Sequence, residues 1–310
     1  MNKKLLAIIM SGLFALPLAS AEASNTVKNK TVAPSLAILD TAIDTSVSSL
    51  KGRNIYEVCI LAWNSCPNGT NFQEGVGAAS LPSNIISRNG FDHGTQMASV
   101  AANANPNMNI VFVRIVGNTA DGRRQLVPEN SIAIALNWVL SNKDRLNIQA
   151  VAMAQGNSNY NRTGDYCPTA GPLTSVVNNA IASNLPVFFP AGNDRNYTRI
   201  NWPACIPSAI AVGGTDNTGA IAIWSNYDPQ RLDFYALGQT KAQIPGGSTI
   251  NAAGTSVSTQ IAAANWLSLK NAKPLLTLAE IQQLILKTGT PVKNSKVNGF
   301  LFNLGSALNG

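Results

Sequence analysis

The chain has 310 residues, enough for one large domain or two modest ones around a substantial core. Only 12% of them are charged, and 24 glycines accompany many small polar side chains, a composition that excludes a disordered or coiled-coil chain. The net charge of +7 is scattered apart from short pairs such as Arg123-Arg124, with no basic stripe flanked by aromatics, so no nucleic-acid partner is expected.

The first segment, MNKKLLAIIMSGLFALPLASAEAS, predicts a bacterial-type secretory signal peptide over 1–21. Lys3 and Lys4 form its basic start, Leu5 to Leu18 its apolar stretch, and Ala19-Ser20-Ala21 its small-residue cleavage site. A membrane anchor is the weaker reading, because the stretch is short and broken by Ser11, Gly12 and Pro17. Cleavage after Ala21 leaves 20 basic and 15 acidic residues, a balance of +5. Without a cysteine at that site no lipid anchor is expected, and export should end in the periplasm or outside the cell. A short N-terminal segment (22–32) then leads into one folded domain (33–310).

Strand-like apolar runs alternate with helical patterns from there on. The runs are SLAILD (35–40), NIVFVRIV (109–116), QAVAMAQ (149–155), LPVFFPA (185–191) and SAIAVGG (208–214). Helices are predicted over 95–104, 131–142, 173–184 and from Ser258 onward, with a last one announced by the capping box Thr277-Leu-Ala-Glu280. Near-continuous apolar strands separated by helices predict an α/β fold, a mostly parallel sheet with helices on both faces. Four cysteines in an exported chain favour two disulfides over a metal site. Of three possible pairings, Cys59–Cys66 with Cys167–Cys205 is favoured because the first closes a short local loop. Metal-ligand spacing is missing, so no metal and no cofactor is expected.

In open parallel sheets the ligand edge lies beyond the carboxyl ends of the strands. Asp40 closes the first run, Asn193 follows LPVFFPAG, and His93 and Ser256 each stand just before a helix. Singly, each reads as a buried structural carboxylate or a helix cap. Together they supply a nucleophile, a base, a carboxylate to orient the base, and an oxyanion donor. His93 is the only histidine of the chain, so no other imidazole could serve as the base.

The blocks LAILDTAID, DHGTQMASVAA, FFPAGND and AAGTSVSTQIAAA resemble the Asp, His, oxyanion Asn and Ser blocks of the subtilisin-like serine proteases. The order Asp, His, Ser matches that family and differs from the chymotrypsin-like and α/β-hydrolase orders. The resemblance runs from about residue 33 to the end and implies a three-layer fold and a secreted, monomeric endopeptidase acting on peptides or proteins. It assigns Asp40, His93 and Ser256 to the triad and Asn193 to the oxyanion hole. It further assigns Ala154, Gln155 and Gly156 to a substrate-pairing strand, and Pro190, Ala191 and Gly192 to the wall of the specificity pocket. RIVG (114–117) would begin the other edge of the groove.

The chain departs from the family at several points. Ala42 stands where a glycine is usual, Gln96 replaces the second histidine of HGTH, Gln260 replaces a proline, and Ala154-Gln155 replaces Ser-Leu. About 19 residues separate Ala21 from Asp40, too few for the family's inhibitory prodomain. The short segment ANANPNMNIVF has no carboxylates for a calcium loop, so no calcium is expected there. Two readings compete with the peptidase: a pseudoprotease that binds peptides or proteins, and a secreted esterase using the same triad.

Overall fold

The computed structural model describes residues 33–88, 90–157, 167 and 170–310; the expected signal peptide (1–21) and the segment 22–32 lie outside the described residues. The strands are β1 (Ser35–Asp40), β2 (Ile55–Ile60), β3 (Phe72–Glu74), β4 (Asn109–Arg114), β5 (Ile148–Met153), β6 (Val187–Pro190), β7 (Ile210–Thr215), β8 (Phe234–Leu237), β9 (Gln239–Gln243), β10 (Thr249–Ala253), β11 (Thr290–Lys293) and β12 (Asn298–Leu301). The helices are α1 (Ser83–Ile86), α2 (His93–Ala104), α3 (Glu129–Asn142), α4 (Pro172–Ala182), α5 (Thr255–Ala272), α6 (Leu278–Thr288) and α7 (Leu304–Asn309).

Among the described residues ten strands form one sheet in the order β11-β12-β8-β7-β6-β5-β1-β4-β2-β3. Every pairing from β12 across to β2 is parallel, and only the outermost strands β11 and β3 run antiparallel. The side chains divide by parity, as a two-residue strand period requires. Ala37, Leu39, Val111, Val113, Val151 and Met153 join the cluster that contains α3 and α4. Leu36, Ile38, Ile110, Phe112, Ala150 and Ala152 join the one that contains α2, α5 and α6. Both faces are therefore covered, which makes the fold a three-layer α/β architecture.

Strand β1 lies between β4 and β5, so the chain turns one way from it early and the other way later. That reversal leaves a crevice beyond the carboxyl end of β1, where Asp40 sits. The predicted strands overshoot there: β4 stops at Arg114, β5 at Met153 and β6 at Pro190. Residues beyond those ends leave the sheet and line the crevice. The runs IYEVCI and FYAL also form strands, unread in the sequence because Glu57 interrupts the first and the second is only four residues long. Buried Glu57 accepts the Ala79 N–H at 3.1 Å.

Disulfides join Cys59 to Cys66 (2.08 Å) and Cys167 to Cys205 (2.09 Å). Among the described residues no helix is long and apolar enough to cross a membrane.

Candidate active site

Asp40 ends β1 with its side chain fully buried. His93 is the first residue of α2, rather than preceding it, and its Nδ1 lies 2.9 Å and 3.0 Å from the two Asp40 carboxylate oxygens. The imidazole keeps 27% of its surface exposed. With Nδ1 facing the carboxylate, Nε2 is the nitrogen left for a second partner.

Thr41 locks these two elements together. Its N–H donates to Asp40 Oδ1 at 2.7 Å, its hydroxyl donates to the Phe91 carbonyl at 2.8 Å, and the same oxygen accepts the Gly94 N–H at 2.9 Å. A Cβ on Gly94 would lie 2.3 Å from the Ala42 carbonyl oxygen, so only glycine lets α2 start this close to β1.

Ser256 is the second residue of α5, again inside the helix rather than before it. Gly254 precedes the helix with φ +142°, a backbone that disfavours any side chain. Asn193 follows β6, and its Oδ1 accepts both the N–H (2.9 Å) and the hydroxyl (3.0 Å) of Thr255. Its carbonyl end is thereby fixed, so the Nδ2 donor is the end left for the cavity. The Ser256 N–H, in the first turn of α5, has no intrahelical acceptor either. The Ser256 hydroxyl donates to the Ala154 carbonyl at 3.1 Å.

These groups share a cavity of about 440 Å³ whose lining includes His93, Asn193, Ser256, Ala154 and Gly156. Pro190, Gly192 and Gln155 also reach it. Ala191 does not: it is fully buried in the core, its N–H donating to the Val212 carbonyl and its own carbonyl accepting the Asn201 N–H. Gln155 turns inward, donating from Nε2 to Asp40 Oδ1 at 3.0 Å.

Burial pushes the His93 pKa down, but the charge and hydrogen bond of Asp40 outweigh it; Arg124 lowers it, Asp92 raises it, and it stands above the usual 6.5. At the end of β4, Arg114 is fully buried and spans Val116 O (3.1 Å) and Asn118 Oδ1 (2.7 Å), pinning the turn that leaves the strand. Burial brings its pKa down to about 10.

Sequence reasoning passed over Thr41, Thr255, Asn226 and Arg124. The two threonines were legible, since each adjoins a candidate catalytic residue, Thr41 next to Asp40 and Thr255 next to Ser256. Asn226 was not: fully buried, it bonds the N–H groups of Asp194 (2.8 Å) and Asn196 (3.0 Å) from far along the chain.

An open parallel sheet with an Asp–His pair at its switch point and a serine at a helix start has the architecture of the subtilisin-like proteinases. A cold adapted subtilisin-like serine proteinase superimposes with a TM-score of 0.62 at 20% identity, over 86% of this chain and 87% of that one. A protease from Pseudoalteromonas arctica superimposes with a TM-score of 0.69 at 19% identity, over 89% of each chain. At such identities the likeness is one of fold. The family model described as the Subtilase family matches residues 32–306, and the chain belongs to that family. Subtilisin NAT of Bacillus subtilis subsp. natto is 27% identical over 233 residues, and subtilisin BL of Lederbergia lenta 26%. The first alignment covers 71% of this chain but 56% of subtilisin NAT, and the second 72% and 79%. The chain thus spans little more than half the length of the first relative.

Proposed function

We propose that the protein is an exported serine endopeptidase that cleaves peptide bonds, its peptidase domain covering 33–310 behind a signal peptide. The observation that carries this reading is the buried Asp40 carboxylate on His93 Nδ1, at a cavity shared with Ser256 and Asn193. Asp40 holds the imidazole in the tautomer whose Nε2 is free to accept a proton. The Ser256 hydroxyl turns from Ala154 to Nε2, gives up its proton, and its Oγ attacks the substrate carbonyl carbon. The resulting oxyanion receives the Asn193 Nδ2–H and the Ser256 N–H, and the protonated imidazole then delivers its proton to the leaving amine. Water, deprotonated by His93, releases the acyl group and restores the serine. Gly156, exposed beyond β5, offers backbone groups to the substrate main chain.

One observation favours a peptide-binding pseudoprotease instead: the Ser256 hydroxyl bonds to Ala154. Covalent labelling separates the two. The purified protein should take up a fluorophosphonate at Ser256, and Ser256→Ala should abolish the label. Folded wild-type protein that never labels would remove the peptidase reading.

A further inference from the structure

The residues Arg124 and Gln155 have no place in the reaction scheme above, yet they touch its buried end. Gln155 Nε2 lies 3.0 Å from Asp40 Oδ1 and 3.3 Å from His93 Nδ1. Its other amide atom, Oε1, accepts a hydrogen bond from Arg124 Nη2 at 3.0 Å. That second bond fixes which end of the amide faces the carboxylate, because a guanidinium can only donate. Were the amide reversed, its oxygen would confront Asp40, and Arg124 would face an NH2 group. Arg124 is itself held in place. Its Cδ and Nη1 lie 3.1 and 3.2 Å from where a Cβ on Gly90 would stand, so Gly90 makes room for the side chain. The tight loop that carries it is closed by the Thr119 N–H to Arg123 O bond at 2.9 Å and Gln125 N–H to Gly117 O at 2.9 Å.

We infer that Arg124 and Gln155 act as a positioning relay: Arg124 orients the Gln155 amide, and the amide donates to Asp40, fixing the carboxylate on which His93 depends. The inference rests on the peptidase reading for its kinetic consequence, but not for its structural one. Asp40 Oδ1 already accepts the Thr41 N–H at 2.7 Å and faces His93 at 2.9 Å. A further donor holds the carboxylate against rotation and draws part of its charge away from the imidazole. The Gln155 NH2, close to Nδ1, also disfavours a second positive charge on the ring. Among the described residues the charged groups facing His93 are Asp40, Asp92 and Arg124, and of these Arg124 is the one whose charge opposes imidazolium. Loss of either relay member therefore makes the imidazolium easier to form. Both changes act in the same direction.

The lone histidine makes this measurable without turnover. In the full chain carrying Ser256→Ala, the His93 ring signal is titrated by NMR, alone and with Gln155→Leu, Arg124→Gln or Arg124→Lys. The expected result is a midpoint that moves to higher pH in Gln155→Leu and in Arg124→Gln, and a smaller move in Arg124→Lys, which keeps the charge. Arg124 is exposed, so its variants should fold even if Gln155→Leu does not. In the active chain, Gln155→Leu should lower kcat roughly tenfold or more with a smaller change in KM, as expected when a hydrogen bond to a charged positioning group is lost. Unchanged midpoints in folded Arg124→Gln and Gln155→Leu would overturn the relay. Failure of the wild type to label with fluorophosphonate would overturn the peptidase reading and leave the titration to decide the relay by itself.

Discussion

Helices α2 and α5 each deliver one residue of the proposed triad to the same cavity, but their first turns are built in opposite ways. The start of α2 is closed: Gly94 is pressed against Ala42, and its N–H is taken by Thr41. The start of α5 is closed at Thr255, whose N–H goes to Asn193, and open one residue later at Ser256. On the proposed peptidase reading, the difference follows from the task of each residue. A base must be held against its carboxylate, whereas a nucleophile at an oxyanion site needs a helix N–H left without an acceptor.

The comparison breaks most visibly if the open end loses its second donor. Asn193→Ala should cut kcat by roughly 10² to 10³, about 2.7 to 4 kcal/mol, the magnitude known for a subtilisin, while KM changes little. Steady-state kinetics on a peptide amide decide it; a raised KM with unchanged kcat would mean that Asn193 only binds substrate. The same substitution removes the acceptor for Thr255 N–H, so circular dichroism should accompany the kinetics.

At the closed end the effect is one of packing. Gly94→Ala would place a methyl 2.3 Å from one backbone atom of Ala42, 2.9 Å from another, and 2.8 Å from Phe112 Cζ. Backbone on that side cannot move aside as a flexible side chain would. Overpacking of this kind should destabilise the fold by about 1 to 3 kcal/mol. Denaturant unfolding should show a lower midpoint, with activity lost because His93 is displaced from Asp40. A variant with wild-type stability and turnover would show that the α2 start is looser than its contacts imply.

How far these two helix starts were legible in the sequence differs as well. The Asp, His, Asn and Ser blocks are legible because each combines a candidate catalytic residue with glycines or threonines close by in sequence. The strand cores were legible from apolar runs, but their carboxyl ends were not. Ile115, Val116 and Ala191 are apolar and buried whether or not they pair in the sheet, so composition could not mark where the strand stops and the crevice begins. The hairpin of β9 and β10 was unread because QTKAQ is polar but for Ala242, and TINAA is a five-residue run whose apolar residues are Ile250 and two alanines. It is fixed by distant contacts, such as the Gln243 N–H on Ser99 Oγ at 2.9 Å. Gln155 and Arg124 lie 31 residues apart and meet only in the folded chain.

Further along α5, Gln260 marks a fault that the start of α2 does not have. It is fully buried, and neither atom of its amide has a hydrogen-bond partner among the described residues. A buried polar group left unpaired costs about 1 to 3 kcal/mol. Gln260→Met keeps the length of the side chain and removes both polar atoms, so it should stabilise the protein by about 1 kcal/mol or more. Thermal unfolding should show a higher Tm with unchanged kcat. A lower Tm would mean that the amide is satisfied in solution.

The smallest expected effect concerns the acid limb of activity, and its sign tests the closed end directly. As the proposed general base, His93 must be neutral to accept the Ser256 proton, so kcat/KM should rise as the imidazole loses its proton. Burial alone would favour the neutral ring and place the limb below 6.5; the Asp40 charge and hydrogen bond favour the imidazolium and outweigh burial. The limb should therefore lie above 6.5, with activity lost as pH falls through it. A single imidazole signal should titrate with the same midpoint, since the chain has one histidine. Asp40→Asn removes the opposing charge and leaves the burial, so the midpoint should move down even as kcat collapses from the loss of the oriented tautomer. A wild-type limb below 6.5, or a midpoint unmoved by Asp40→Asn, would show that the carboxylate does not dominate the imidazole, and the tight start of α2 would then hold His93 for packing alone.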